Sequence, residues 1–184
     1  MKNLVKHPLK SILCRRWLLL VWLAALGCKG AFQAEERRET KQMNKNIWQA
    51  IEALVQQIPF SKQKVEAALS TVLTEKEDDF NKLFLFYKSA PIQLTEGLVI
   101  SGVDLRIKRE GGHPGFLVLA VEGACITPAQ LREHYKELQI TQVPRGRSLE
   151  EETTFTQTLP WGKLSFGFKE RNRDCLASIV FEPQ

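Results

Sequence analysis

Histidine is scarce in this chain of 184 residues, with three in all, at His7, His113 and His134. No His-Glu-x-x-His stretch and no closely spaced cysteine pair occurs. The spacings that hold zinc are therefore missing, and no metal or other cofactor is expected. A glycine-rich phosphate loop and a Gly-x-Ser-x-Gly elbow are also absent, which sets aside the nucleotide and serine-hydrolase chemistries built on them. No apolar run reaches the roughly 20 residues that a membrane-spanning helix needs. Finally, residues 1–27 contain no Asp or Glu, although they hold Lys2, Lys6, Lys10, Arg15 and Arg16.

That last absence redistributes the charge. The whole chain carries 26 Lys and Arg against 21 Asp and Glu, a formal net charge of +5. Without the five leading cations, 21 of each sign remain, so residues 28–184 are formally neutral. The excess belongs to the leader and not to a binding surface, and nucleic acid is not an expected partner. A hydrophobic fraction of 43% is ordinary for a globular protein, and the length suits one domain with a real core.

Behind the cations, residues 17–27 form an apolar run that ends at Cys28. As a helix it spans about 16 Å, half of what a bilayer core requires, which is the length of a signal-peptide core. The stretch Leu23-Ala-Ala-Leu-Gly-Cys28 resembles the lipobox of bacterial lipoproteins. That resemblance implies removal of residues 1–27, addition of diacylglycerol to the Cys28 sulfur, and an acylated (palmitate-bearing) new N-terminus. Lys29, in place of the aspartate that typically retains such proteins at the inner membrane, implies the outer membrane, facing the periplasm. An ordinary secretory signal cleaved near Ala31 or Ala34, or an uncleaved anchor, are the competing readings. Residues 28–43 are polar, with Phe32 the one large apolar residue before Met43, and read as a flexible tether.

Under this division Cys125 and Cys175 remain, in a compartment that permits disulfides. A bridge would close about 50 residues, worth about 4 kcal/mol in the chain-entropy model. The alternative makes Cys125 a nucleophile with His113 or His134 as base. The residues around it, Glu122-Gly-Ala-Cys-Ile126, match no cysteine-hydrolase signature, and the bridge is the expectation.

Residues 44–184 read as a single α+β domain. Ile47, Ile51, Leu54, Val55 and Ile58 mark one helix face, ended by Pro59. Ser61 suits an N-cap, and Val65, Ala68, Leu69, Val72 and Leu73 continue at helical spacing. The period then falls to two. Strands are expected over residues 80–89, 103–108 and 116–121, the last apolar on both faces and therefore central. Thr127, Pro128 and Gln130 announce a capped helix to about Leu138. After a polar loop at 143–152, three more strands are expected at 153–158, 163–169 and 175–181. The expected order is α-α-β-β-β-α-β-β-β, an antiparallel sheet with helices packed on one face.

No catalytic residue is assigned. Ser61-Lys-Gln-Lys64 has the Ser-x-x-Lys spacing of penicillin-recognising enzymes, but its companion elements are absent and Ser61 has a capping role. Asp78 with Asp79, and Glu150 to Glu152, are acidic runs whose simplest reading is solvated loop. The mixed-charge loop is the candidate partner-binding surface, with Arg145, Arg147, Glu150, Glu151 and Glu152. Trp161 and Tyr135 are either exposed anchors of that surface or core residues. A small disulfide-tied α+β domain on a lipidated tether resembles, in architecture alone, some immunity proteins paired with secreted cell-wall toxins. The resemblance implies an envelope lipoprotein that binds a periplasmic protein as an inhibitor. An assembly factor of an envelope complex and an envelope hydrolase are the alternatives.

Overall fold

The structure, a computed structural model, describes residues 41–77 and 81–184. The expected leader, Cys28, most of the expected tether, the Asp78–Asp79 pair and Phe80 lie outside the described residues. Among the described residues three α-helices and ten strands make an α+β fold on one sheet. In chain order they are β1 (Lys41–Gln42), α1 (Ile47–Val55), α2 (Lys62–Leu69), β2 (Leu73–Lys76), β3 (Phe84–Ser89), β4 (Ile92–Gln93), β5 (Leu98–Lys108), β6 (Phe116–Gly123), α3 (Pro128–His134), β7 (Gln139–Gln142), β8 (Glu152–Leu159), β9 (Gly162–Lys169) and β10 (Leu176–Pro183).

The main path of the sheet is β1-β4-β5-β6-β10-β9-β8-β7, with β3 joined to β5 and β2 to β3. Every pairing is antiparallel except that of β1 with β4. One face carries the core. Across it Leu105 lies opposite Leu117, Leu117 opposite Phe181, and Phe181 opposite Leu164. The next row runs Val103, Leu119, Ile179, Phe166, Phe155. These side chains and the buried residues of α1, α2 and α3 (Ile47, Ile51, Leu54, Val65, Leu69 and Leu131 among them) form one hydrophobic cluster. The alternate residues of each strand form the opposite face, as the period of two requires.

The order differs from expectation at four short strands, and each has a local cause. Lys41–Gln42 was assigned to the tether, but it pairs in parallel with Ile92–Gln93, and Met43 donates to the Gln93 carbonyl and is buried. The folded part thus begins before Asn44. Val72 and Leu73 were expected to extend α2. Instead Ser70 turns left-handed (φ 49°, ψ 40°), the Glu66 carboxylate accepts from the Leu73 amide at 2.8 Å, and Leu73 enters β2. β4 lies across from the first part of β5, whose second part pairs with β3. β5 is therefore longer than the expected 103–108, beginning at Leu98, and absorbs a register shift between Ile100 and Gly102. Finally, α3 ends at His134, four residues short of Leu138, with Tyr135 already extended, and releases Gln139–Gln142 as β7.

The caps follow the sequence. Asn46 with Gln49, and Thr127 with Gln130, form complete capping boxes, and Ser61 accepts from the Lys64 amide. Cys125 and Cys175 form a disulfide, Cα to Cα 4.8 Å, tying the exit of β6 to the entry of β10, its sheet neighbour. Cys125 is thereby committed to a bridge and not to nucleophilic chemistry.

On the face away from the core, Asp104 takes Lys88 at 2.6 Å and Arg106 at 3.1 Å, while the Arg106 guanidinium lies over both Phe86 and Phe116. Burial alone would raise the Asp104 pKa, but the hydrogen bonds from Arg106 and Lys88 outweigh it and hold the carboxyl below its ordinary range. A lowered folded-state pKa stabilises above the unfolded value and is lost as pH falls through the folded one. Replacing Asp104 with Asn should therefore cost about 1 kcal/mol at pH 7, a small figure because both cations are partly exposed. The difference in urea midpoint between the two proteins should shrink steadily from pH 5 to pH 2. A difference independent of pH would remove the ion pairs as its cause.

Candidate functional site

The loop between β7 and β8 is ordered by its own sequence. The Glu151 carboxylate turns inward and accepts from the backbone amides of Arg145 (2.7 Å) and Arg147 (3.3 Å). Ser148 supplies a turn, its hydroxyl accepting from the Glu150 amide and its carbonyl from that of Glu151. The far side of the loop is stitched to the 3-10 turn after β9 (Glu170–Asn172), with the Glu170 amide donating to the Glu151 carbonyl and the Arg171 amide to that of Leu149. Glu150 bridges Lys169 (2.9 Å) and Arg171 (2.8 Å). The Lys169 hydrogen bond leads, with the charge of Arg171 helping, in holding the Glu150 carboxyl below its ordinary value.

Glu152 points across the sheet. Its carboxylate passes over Gly167 on β9 and accepts from the Ser178 hydroxyl on β10 at 2.6 Å. Gly167 is required there, because a Cβ at that position would run into both the Glu152 carboxylate and Ser178 Oγ. Beside this contact Thr141, Thr156 and Ser165 join their hydroxyls in a row over β7, β8 and β9, each step 2.8 Å. These groups line an open cleft of about 700 Å³ together with Gln139, Gln142 and Lys163.

Of the six residues expected to meet a partner, Trp161 being the sixth, the three glutamates are therefore spent on the loop and sheet. Arg145 and Arg147 are exposed, and among the described residues neither joins an ion pair. Trp161 sits in the β8–β9 turn, the opposite end of that hairpin, about 25 Å from the loop at the rise of an eight-residue strand. It is half-buried against Phe181. Tyr135 is also half-buried, between Phe166 and Trp48, and burial, with Glu52 adding to it, pushes its hydroxyl up to about 12. The structure does not bring these two rings to the loop.

Sequence reading missed the exposed apolar residues on either side of the two arginines in the chain. Ile140, Val143 and Leu149 are 58%, 59% and 64% exposed, three of the five large hydrophobics left in solvent among the described residues. Their signal was weak, since a single Ile between glutamines looks like a helix end or loop as readily as a strand. The histidines are elsewhere. His113 accepts from the Gly115 amide in its turn, and His134 stacks on Trp48 at 3.9 Å. Among the described residues no group of three His, Cys, Asp or Glu could hold a metal ion, and no helix is long and apolar enough to cross a membrane.

Fold and surface together define an α+β domain with an ordered, mixed-charge loop beside a sheet edge. No protein-family model matches the chain, and neither a curated protein nor a solved structure matches it.

Proposed function

We propose that this chain is a lipid-anchored protein of a bacterial envelope that works by binding another protein, as an inhibitor or immunity protein of a periplasmic enzyme or toxin. The observation that carries the binding reading is the surface at residues 140–149. There Ile140, Val143 and Leu149 stand exposed on either side, in sequence, of Arg145 and Arg147, which join no ion pair among the described residues, and the loop between is internally hydrogen-bonded. Apolar residues beside arginine on a pre-organised loop are what a protein interface uses, since little entropy remains to be lost on association. The envelope location draws on the leader, on the lipobox-like residues ending at Cys28, and on a disulfide of the kind that persists in oxidising compartments.

A photo-crosslinking amino acid at Ile140 or at Leu149 of the full chain, expressed in the envelope of its own host, should yield one dominant protein adduct. The same group at Gln63, exposed on α2, should yield none. Equal or absent labelling from all three positions rejects the binding surface. Cys28→Ser should move the protein from the membrane to the soluble fraction, and unchanged membrane association rejects the lipid anchor.

A further inference from the structure

The sheet has three open edges among the described residues, along β1, β2 and β7. Each presents backbone N–H and C=O groups with no strand beyond, which natural proteins ordinarily protect with charge, brevity or a bulge. β1 is two residues long. β2 exposes Thr74, Glu75 and Lys76 and runs into Glu77, so charge guards it. β7, Gln-Ile-Thr-Gln, carries no charge, and all four of its residues are exposed; its one irregularity is a register shift against β8 between Ile140 and Gln142, which leaves Ile140 in line with Phe155.

Both faces of the sheet reach β7 unfinished. On the core face the row Ile179, Phe166, Phe155 continues to Ile140, and exposure climbs along it from 0% at Phe166 to 8% at Phe155 and 58% at Ile140. On the opposite face the hydroxyl row Ser165, Thr156, Thr141 ends at an exposed threonine. One more strand would cover Ile140 with an apolar side chain and meet Thr141 with a polar one.

We infer that β7 is a strand-addition edge that takes an extended segment of a protein partner, alternating apolar and hydroxyl side chains and bearing carboxylates that meet Arg145 and Arg147. This rests on the protein-binding reading above and specifies its mode. Main-chain pairing supplies the affinity in such complexes, and alternate side chains supply the choice of partner. Charge argues for a foreign segment over a second copy of this chain. Antiparallel self-pairing centred on the four residues of β7 would set Arg145 of one copy toward Lys136 of the other, and like charges across a strand pair are unfavourable.

The test uses the full chain and a synthetic capped peptide, two aspartates followed by alternating valine and threonine, which places its acids beside Arg145 in an antiparallel pairing. Addition should slow amide exchange within Gln139–Gln142 about tenfold. N-methylation of one alternate set of peptide nitrogens should abolish binding, and of the other set should leave it within about twofold, because only one set faces β7. The double variant Arg145→Glu, Arg147→Glu should bind the aspartate peptide about tenfold more weakly and regain affinity for its lysine counterpart. Unchanged exchange at β7, equal binding by both methylated peptides, or protection of β7 by self-association on dilution-dependent sedimentation overturns the inference. Failure here with a crosslinked partner in the envelope rejects strand addition alone, whereas failure to crosslink rejects the binding reading itself.

Discussion

Replacing Phe166 with alanine should destabilise the domain by about 3–5 kcal/mol, the range for truncating a buried aromatic ring. The ring has no solvent exposure and stands where sheet and helices meet. Ile179 and Phe155 flank it in register on the neighbouring strands, and Tyr135, at the end of α3, packs on it at 4.8 Å between ring centroids. Tyr135 in turn touches Trp48 on α1. Loss of the Phe166 ring therefore opens a void between three elements tied to the sheet by different loops, and none can move in without abandoning its own packing. A natural domain has about 5–15 kcal/mol in total, so the variant should be near its unfolding threshold at 37 °C. Urea unfolding followed by far-UV circular dichroism measures the loss, and Trp48 fluorescence should change in the native baseline. A loss below about 1 kcal/mol would show that the helices repack over the gap, contrary to the rigidity of well-packed cores.

Removing the disulfide should cost nearly as much by a different route. The Cys125–Cys175 bridge closes a sequence separation of 50 residues, and the chain-entropy model assigns such a loop about 4 kcal/mol through restriction of the unfolded chain. The bond joins β6 and β10, which also pair through Leu117↔Phe181 and Leu119↔Ile179. Native contacts therefore survive its loss, and the double variant Cys125→Ala, Cys175→Ala should fold with an unchanged spectrum and a lower urea midpoint. Reductant should lower the midpoint of the natural chain toward that of the variant and leave the variant unmoved. Coincident midpoints for the oxidised and reduced natural chain would sink the idea.

Local chemistry made much of this molecule legible from sequence. Thr127-Pro128 with Gln130 announces α3 because the capping box closes within four residues and needs nothing else. Leu164, Phe166 and Phe168 declare a half-buried strand by alternation alone, and the structure buries all three. The disulfide was the expectation once the lipobox resemblance set Cys14 and Cys28 aside, and the structure pairs Cys125 with Cys175. The failures lie where a distant partner decides. Gln139–Gln142 is a strand because Thr156 and Phe155 pair with it, and Lys41–Gln42 because Ile92 and Gln93 do. Leu73 fits helical spacing and strand parity alike, and the Glu66 carboxylate settles it in favour of the strand. The loop residues were correctly read as a cluster of charge, but whether a glutamate is free or spent is a matter of what lies within 3 Å of it.

The sequence by itself determined the helix caps, the alternation of the long strands, and the confinement of excess positive charge to the residues before Cys28. All of these are set by neighbours within a few positions or by composition. Tertiary structure alone decided that Trp161 and Tyr135 pack inward, that Glu150, Glu151 and Glu152 are occupied, and that Ile140 ends an apolar row in solvent. Those outcomes depend on strand order and register, which bring together residues tens of positions apart, and pairing energies at that range leave no mark on any short stretch of chain.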